Sequence, residues 1–203
     1  MCSLYKEDKM KRFLVFLADG FEEIEALTPV DYLRRAGIEV DTVSITDDLK
    51  VMGSHKIPVL ADKLLRDINP DDYVGLYLPG GLPGATNLRD NEAVVKLVQQ
   101  FNQEEKLVTA ICAAPIVLEK AGVIEGKNVT SFPSFKEELT TAKAYVEDDI
   151  VVEDGNIITG RGAAIAIYQS FKIVETLLGR EAVEKLKEGI QQHKVEEFYG
   201  FKA

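Results

Sequence analysis

The chain has 203 residues, is 46% hydrophobic and carries a formal net charge of −10, which is enough apolar material for one ordinary core without disulfides or metals. The acidic excess argues against a nucleic-acid partner, because phosphate-backbone binding needs a basic surface to displace counterions. No stretch is long enough to span a membrane, and the opening MCSLYKEDKMKR lacks the apolar core of a signal peptide, so the expectation is a cytoplasmic protein with no membrane partner. Two cysteines and two histidines, all far apart, give neither a disulfide framework nor zinc-ligand spacing.

Residues 1–9 read as a disordered leader ahead of a start at Met10, and residues 10–203 as a single domain. The run FLVFLA over 13–18, ended by Asp19-Gly20, suits a parallel strand buried on both faces. A helix should follow, with Glu22 and Glu23 in its first turn and Thr28-Pro29 as a kink or restart. EVDTVSI over 39–45 alternates like a strand, and 51–60 reads as a small hairpin around Gly53.

Residues 73–78 form a third apolar run, closed by Pro79-Gly80-Gly81-Leu82-Pro83-Gly84. Helical periodicity covers 91–104, and a fourth run, 107–111, leads into Cys112. A helix beginning with small residues and Pro115 is expected over 113–121, and a short strand over 129–132. Asp154-Gly155 between IVV and IIT signals a hairpin. Two helices, at about 164–178 and 180–191, finish the core. This alternation implies a mostly parallel sheet between layers of helices.

Sites in open α/β sheets form beyond the carboxyl ends of the strands, so the turns after the strands carry the chemistry. The cysteine turn stands out. A strand running directly into a helix forces the intervening residue into a tight conformation with its side chain exposed, which requires small neighbours such as Ala110, Ala113 and Ala114. A helix N-terminus should also make the Cys112 thiol more acidic. On position alone, Cys112 could equally be an apolar core residue.

Gly80 and Gly81 could bring a backbone amide to the sulfur beside that of Ala113, forming a donor pair for an oxyanion, although a plain tight turn explains the glycines as well. Glu25, among Ile24, Ala26 and Leu27, is the carboxylate most readily drawn inward. A solvated helix face is the alternative. The glycine-rich loop has neither the lysine of a P-loop nor the spacing of a dinucleotide fingerprint, so no cofactor is expected.

ADGFEEIE, LPGG, AICAAP and TGRG, in this order, resemble the ThiJ/PfpI superfamily, in its branch containing the Parkinson-disease protein and its bacterial relatives. The resemblance implies a flavodoxin-like three-layer α/β sandwich with a nucleophile elbow, and a homodimer with the first helix at its interface. It implies that Cys112 is the oxidisable nucleophile, Glu25 its protonated carboxyl partner, and Gly81 and Ala113 the backbone donors. Glyoxalase or deglycase chemistry on a small reactive carbonyl, redox sensing through cysteine sulfinate and chaperone activity are the functions it suggests. Cysteine peptidase, amidotransferase and thiamine-linked roles fit less well, since Ala113 replaces a histidine after the nucleophile and His193 lies in a polar tail.

Two departures stand out. Phe132 occupies a place where the branch commonly carries a histidine near the cysteine, and His55 falls where relatives often place an arginine that reaches the site across the dimer interface. His55 is a candidate contact in trans or a plain hairpin histidine.

Overall fold

The computed structural model describes residues 11–202, and the expected leader at 1–9 lies outside the described residues. In chain order the elements begin β1 (Arg12–Leu17), α1 (Glu23–Arg35), β2 (Glu39–Ser44), β3 (Lys50–Met52), β4 (Pro58–Leu60), β5 (Lys63–Leu64) and β6 (Gly75–Leu78). They continue with α2 (Gly84–Asp90), α3 (Glu92–Gln103), β7 (Leu107–Ile111), α4 (Pro115–Ala121), β8 (Asn128–Val129), β9 (Ala144–Tyr145), β10 (Val151–Asp154) and β11 (Ile157–Gly160). Helices α5 (Ala166–Leu178), α6 (Arg180–Gly189) and α7 (Gln192–Tyr199) complete the chain.

Seven strands form the main sheet in the order β10-β11-β7-β6-β1-β2-β5. All its pairings are parallel except β10 with β11, the hairpin whose turn places Gly155 at φ +67°. The apolar run of β1 is buried on both faces, as a central parallel strand must be. Leu14 and Phe16 pack with Leu88, Val98 and Val117 from α2, α3 and α4, whereas Phe13, Val15 and Leu17 pack with Ala26, Leu33 and Ile173 from α1 and α5. The result is a three-layer sandwich with one apolar core on each side of the sheet. From β1 the chain moves outward to β2 and then returns to place β6 on the other side of β1. The crevice at the carboxyl ends of β1 and β6 is therefore the topological switch point, where α/β folds hold their ligands.

Several expected elements differ. Pro29 does not restart α1, which runs through it from the Glu22 cap. The strand expected over 129–132 shrinks to β8, which pairs with β9 in a separate two-stranded sheet, because Pro133 opens a 3-10 segment, Pro133–Glu138. Helix α2 was hidden in a Gly/Pro-rich stretch and is fixed by burial of Ala85 and Leu88. Helix α7 extends where a polar tail was expected. It docks through polar groups, with the nearly buried Lys187 ammonium 3.2 Å from the Glu196 carboxylate, and leaves Val195, Phe198 and Tyr199 exposed.

Candidate active site

Three strand-to-loop turns converge at the switch point. At the end of β7 the chain turns on a single residue, Cys112, whose φ of +60° lies in the left-handed region that non-glycine residues avoid. Backbone bonds on both sides hold that conformation: Cys112 N–H donates to Gly160 O at 2.9 Å, and Phe132 N–H donates to Cys112 O at 2.8 Å. The small residues predicted here are required by packing, since Ala113 and Ala114 are buried against the sheet. Helix α4 then starts at Pro115, whose missing N–H costs nothing in a first turn. The thiol is free and half-buried.

The turn after β6 closes the site from the neighbouring strand. A Cβ at Gly80 would lie 2.6 Å from Glu25 Oε2 and 2.8 Å from the Cys112 Cβ, so only glycine lets the loop pass between carboxyl and sulfur. Gly81, at φ +82°, sits against the backbone of Gly20, Phe21 and Glu22, and Gly80 O accepts the Glu22 N–H at 3.0 Å. The two loops are thereby joined. The backbone N–H groups of Gly81 and Ala113 both act on the Cys112 thiol, favouring its anion.

The third component is the start of α1. Glu22 caps the helix by accepting the Glu25 N–H at 2.7 Å, and this orients the next turn so that Glu25 is fully buried. Glu25 Oε2 accepts the Gly80 N–H at 2.8 Å, and its carboxyl is a hydrogen-bonding neighbour of the Cys112 thiol. Burial, helped by the charge of Glu22, raises Glu25 to about 7 against the opposing hydrogen bonds from Cys112 and Gly80. A carboxyl held there is half-protonated at neutral pH.

The expectation of an unusually acidic thiol needs correction. Burial, the Glu25 charge and the hydrogen bond to Glu25 push Cys112 up to about 12, outweighing the Ala113 and Gly81 N–H groups. The helix N-terminus loses to desolvation and a neighbouring carboxylate. Thiol and carboxyl therefore behave as a pair sharing one proton. A thiolate exists near neutrality when that proton resides on Glu25.

His55 lies in the loop between β3 and β4, with its side chain 70% exposed and 2.9 Å from Glu23 of its own chain. Glu23, nearly buried, also accepts the His55 backbone N–H at 2.8 Å. Burial raises the Glu23 pKa, but the hydrogen bonds from the His55 ring and nearby backbone outweigh it and the net direction is down. Sequence reasoning missed this anchor, which clips the hairpin to α1. Glu22, Glu23 and His55 bring potential ligand atoms within 4.8 Å of one another, but Glu23 is already satisfied by the loop and the cluster is an ion-pair anchor.

Phe132 is bonded through its backbone to Cys112, and its ring, 47% exposed, lies beside Gly162. His193, on α7, pairs with Glu184 and Glu196 and takes no part in the turns around the sulfur. Gly160 was visible only as part of TGRG, and its carbonyl fixes the elbow.

A parallel-sheet α/β sandwich with a cysteine on a strand-to-helix elbow and a buried glutamate beside it defines a flavodoxin-like protein with a cysteine at its switch point. The comparisons make this specific: the DJ-1/PfpI family model matches residues 11–176, and the chain belongs to that family. It is 40% identical over 180 residues to Protein dj-1beta of Drosophila melanogaster, covering 89% of this chain and 96% of that protein. It is 36% identical over 179 residues to the Parkinson disease protein 7 homolog of Danio rerio, covering 87% and 95%. The crystal structure of Drosophila DJ-1beta superposes with a TM-score of 0.86 at 40% identity, over 90% of this chain and 98% of that one. The structure described as Toxoplasma gondii DJ-1, oxidized, gives 0.83 at 32% identity, over 89% and 98%. Among the described residues no helix is long and apolar enough to cross a membrane.

Proposed function

We propose that this protein converts small 2-oxoaldehydes to 2-hydroxy acids by glyoxalase-type chemistry at Cys112. The observation that carries the reading is Glu25, fully buried beside the thiol and held at about 7, a pKa suited to proton transfer in both directions at neutral pH. With the shared proton on Glu25, the Cys112 thiolate adds to the aldehyde carbon, and the carbonyl oxygen takes that proton to give a hemithioacetal. The Glu25 carboxylate then removes the proton from the former aldehyde carbon, forming an enediolate with its charge on the adjacent oxygen. Glu25 returns that proton to the adjacent carbon while the hydroxyl proton of the sulfur-bound carbon passes to the adjacent oxygen, giving a thioester, which water hydrolyses to the hydroxy acid and the free thiol. No external oxidant or reductant enters. The N–H groups of Gly81 and Ala113 are the donors for oxyanions formed at the sulfur-bound carbon.

With methylglyoxal, lactate should form catalytically, and Cys112→Ala should abolish it while leaving the fold intact by circular dichroism. Equal lactate formation by parent and variant would remove the reading. Phe132 favours a second one, because the loop bonded to the Cys112 carbonyl carries an apolar ring and no imidazole base. In it, the thiolate attacks a peroxide oxygen, breaking the O–O bond to give sulfenic acid and hydroxide, and a second peroxide takes it to sulfinic acid with release of water. The oxidised state named for the Toxoplasma relative supports this for a family member. Stoichiometric peroxide consumption without lactate formation would select it.

A homodimer suits the exposed apolar side chains Ile24 and Leu27 of α1 and Met52, Ile57 and Leu60 of the β3–β4 hairpin. The hairpin is tied to the start of α1 by Gly20 N–H to Met52 O at 2.7 Å and Ser54 N–H to Phe21 O at 2.8 Å, so these residues act as one face. His55 would meet the partner there. Sedimentation as a monomer at all micromolar concentrations would refute the dimer. The cysteine-poor chain with its free thiol fits a reducing, cytoplasmic setting.

A further inference from the structure

Beneath the elbow, two buried polar atoms have no hydrogen-bond partner among the described residues: the Tyr77 hydroxyl and Glu25 Oε1. Tyr77 sits in β6, three residues before the Gly80 whose N–H holds the other oxygen of the same carboxyl. Its ring is fully buried and points into the core between the sheet and α1, packing in the same cluster as Ala26, Ile111 and Cys112. A tyrosine in an otherwise apolar strand, covered by a helix that brings a glutamate inward, is an expensive arrangement unless the two polar groups serve each other. They are chemically complementary, since one is a donor and the other an ionisable acceptor.

We propose that Tyr77 is a positioning residue for the Cys112–Glu25 pair: its hydroxyl donates to Glu25 Oε1, by a small rotation of the carboxyl or through one buried water, and biases the shared proton toward the sulfur. After burial, the Glu25 charge and then those of Cys112 and Glu22 are what raise the Tyr77 hydroxyl, as expected for groups sharing one poorly solvated space. Of the titratable groups facing the pair, Glu22 is engaged as the helix cap. Glu23 and His55 are engaged with each other. Among the described residues Tyr77 is thus the buried side-chain donor left, besides the Cys112 thiol itself, on this side of the carboxyl. Donation stabilises the Glu25 carboxylate and so keeps the thiol protonated, a brake on Cys112 reactivity that substrate or oxidant binding would have to overcome.

The inference rests on the proton-sharing pair that the proposed function uses, but its readout is thiol reactivity and not turnover. Tyr77→Phe removes one oxygen and keeps the ring. Iodoacetamide alkylation of Cys112 should then speed up at least about tenfold at neutral pH, the size of a lost bond to a charged acceptor. The infrared absorption of a protonated carboxyl should grow, and both changes should vanish in a Glu25→Gln background. Unchanged or slower alkylation in Tyr77→Phe, with a raised Tm, would mean that the hydroxyl is merely an unpaired buried group and would overturn the proposal. A protein without glyoxalase turnover would refute the proposed function while leaving this test intact.

Discussion

Glu25→Gln should be more stable than the parent protein above pH 7, by about 3 kcal/mol, and the difference should largely disappear in acid. The sign follows from the direction of the shift. Glu25 has an ordinary value of 4.5 when unfolded and about 7 when folded, so between those values the folded chain binds more protons than the unfolded one. Stability therefore falls as pH rises through this window. A neutral amide of the same shape does not ionise, and its stability curve should be flatter there. Urea unfolding of both proteins at points spanning about pH 4 to 8 measures the effect. A parent curve that rises through the window by more than that of the variant would contradict the burial argument.

Gly80→Ala should lower the reactivity of Cys112 at least about tenfold without replacing either reacting group. The added methyl would stand 2.6 Å from Glu25 Oε2, 2.8 Å from the Cys112 Cβ and 3.0 Å from Ala113 N, distances that nothing in a packed interior tolerates. The loop must withdraw, and in withdrawing it loses the 2.8 Å bond from Gly80 N–H to Glu25. Gly81 N–H moves away from the sulfur with it. A stability loss of about 1–3 kcal/mol is expected from the overpacking, together with a fall in peroxide oxidation and turnover of at least about tenfold from the lost donor. Gly189→Ala, where a Cβ meets nothing within 4 Å and the backbone, as at Gly80, is outside the left-handed region, is the control for a glycine replaced without a close approach. Equal reactivity in the two variants would show that the close approach at Gly80 is incidental.

Much of this site was legible in the sequence because it depends on backbone shape. FLVFLA and the run before Cys112 mark buried parallel strands, the alanines around the cysteine mark a tight elbow, and paired glycines mark a close approach. These are local demands that residue types express directly. Glu25 was only half legible: its apolar neighbours hinted at burial, but the Glu22 cap and the Gly80 N–H that hold it come from two separate segments.

The thiol pKa was misjudged for the same reason. A helix N-terminus can be read from sequence, whereas the carboxylate beside the sulfur is a tertiary fact, and it wins. Helix α7 escaped because its apolar residues face outward and its buried face is polar, the reverse of the usual pattern. Tyr77 carried a signal, a hydroxyl inside an apolar strand, whose meaning depends on a helix more than fifty positions earlier.

The central claim is that Cys112 and Glu25 share one proton near neutrality, and the pH profile of Cys112 alkylation in the parent protein tests it most directly. A shared proton predicts that reactivity rises around pH 7, as the pair loses its first proton, and then stays level through the alkaline range, with a further rise only toward about 12. Glu25→Gln should remove the step near 7 and leave a single titration below that upper value, because the neighbouring charge is gone. A parent profile with one step at the free-thiol value of about 8.5, unchanged in Glu25→Gln, would contradict the account.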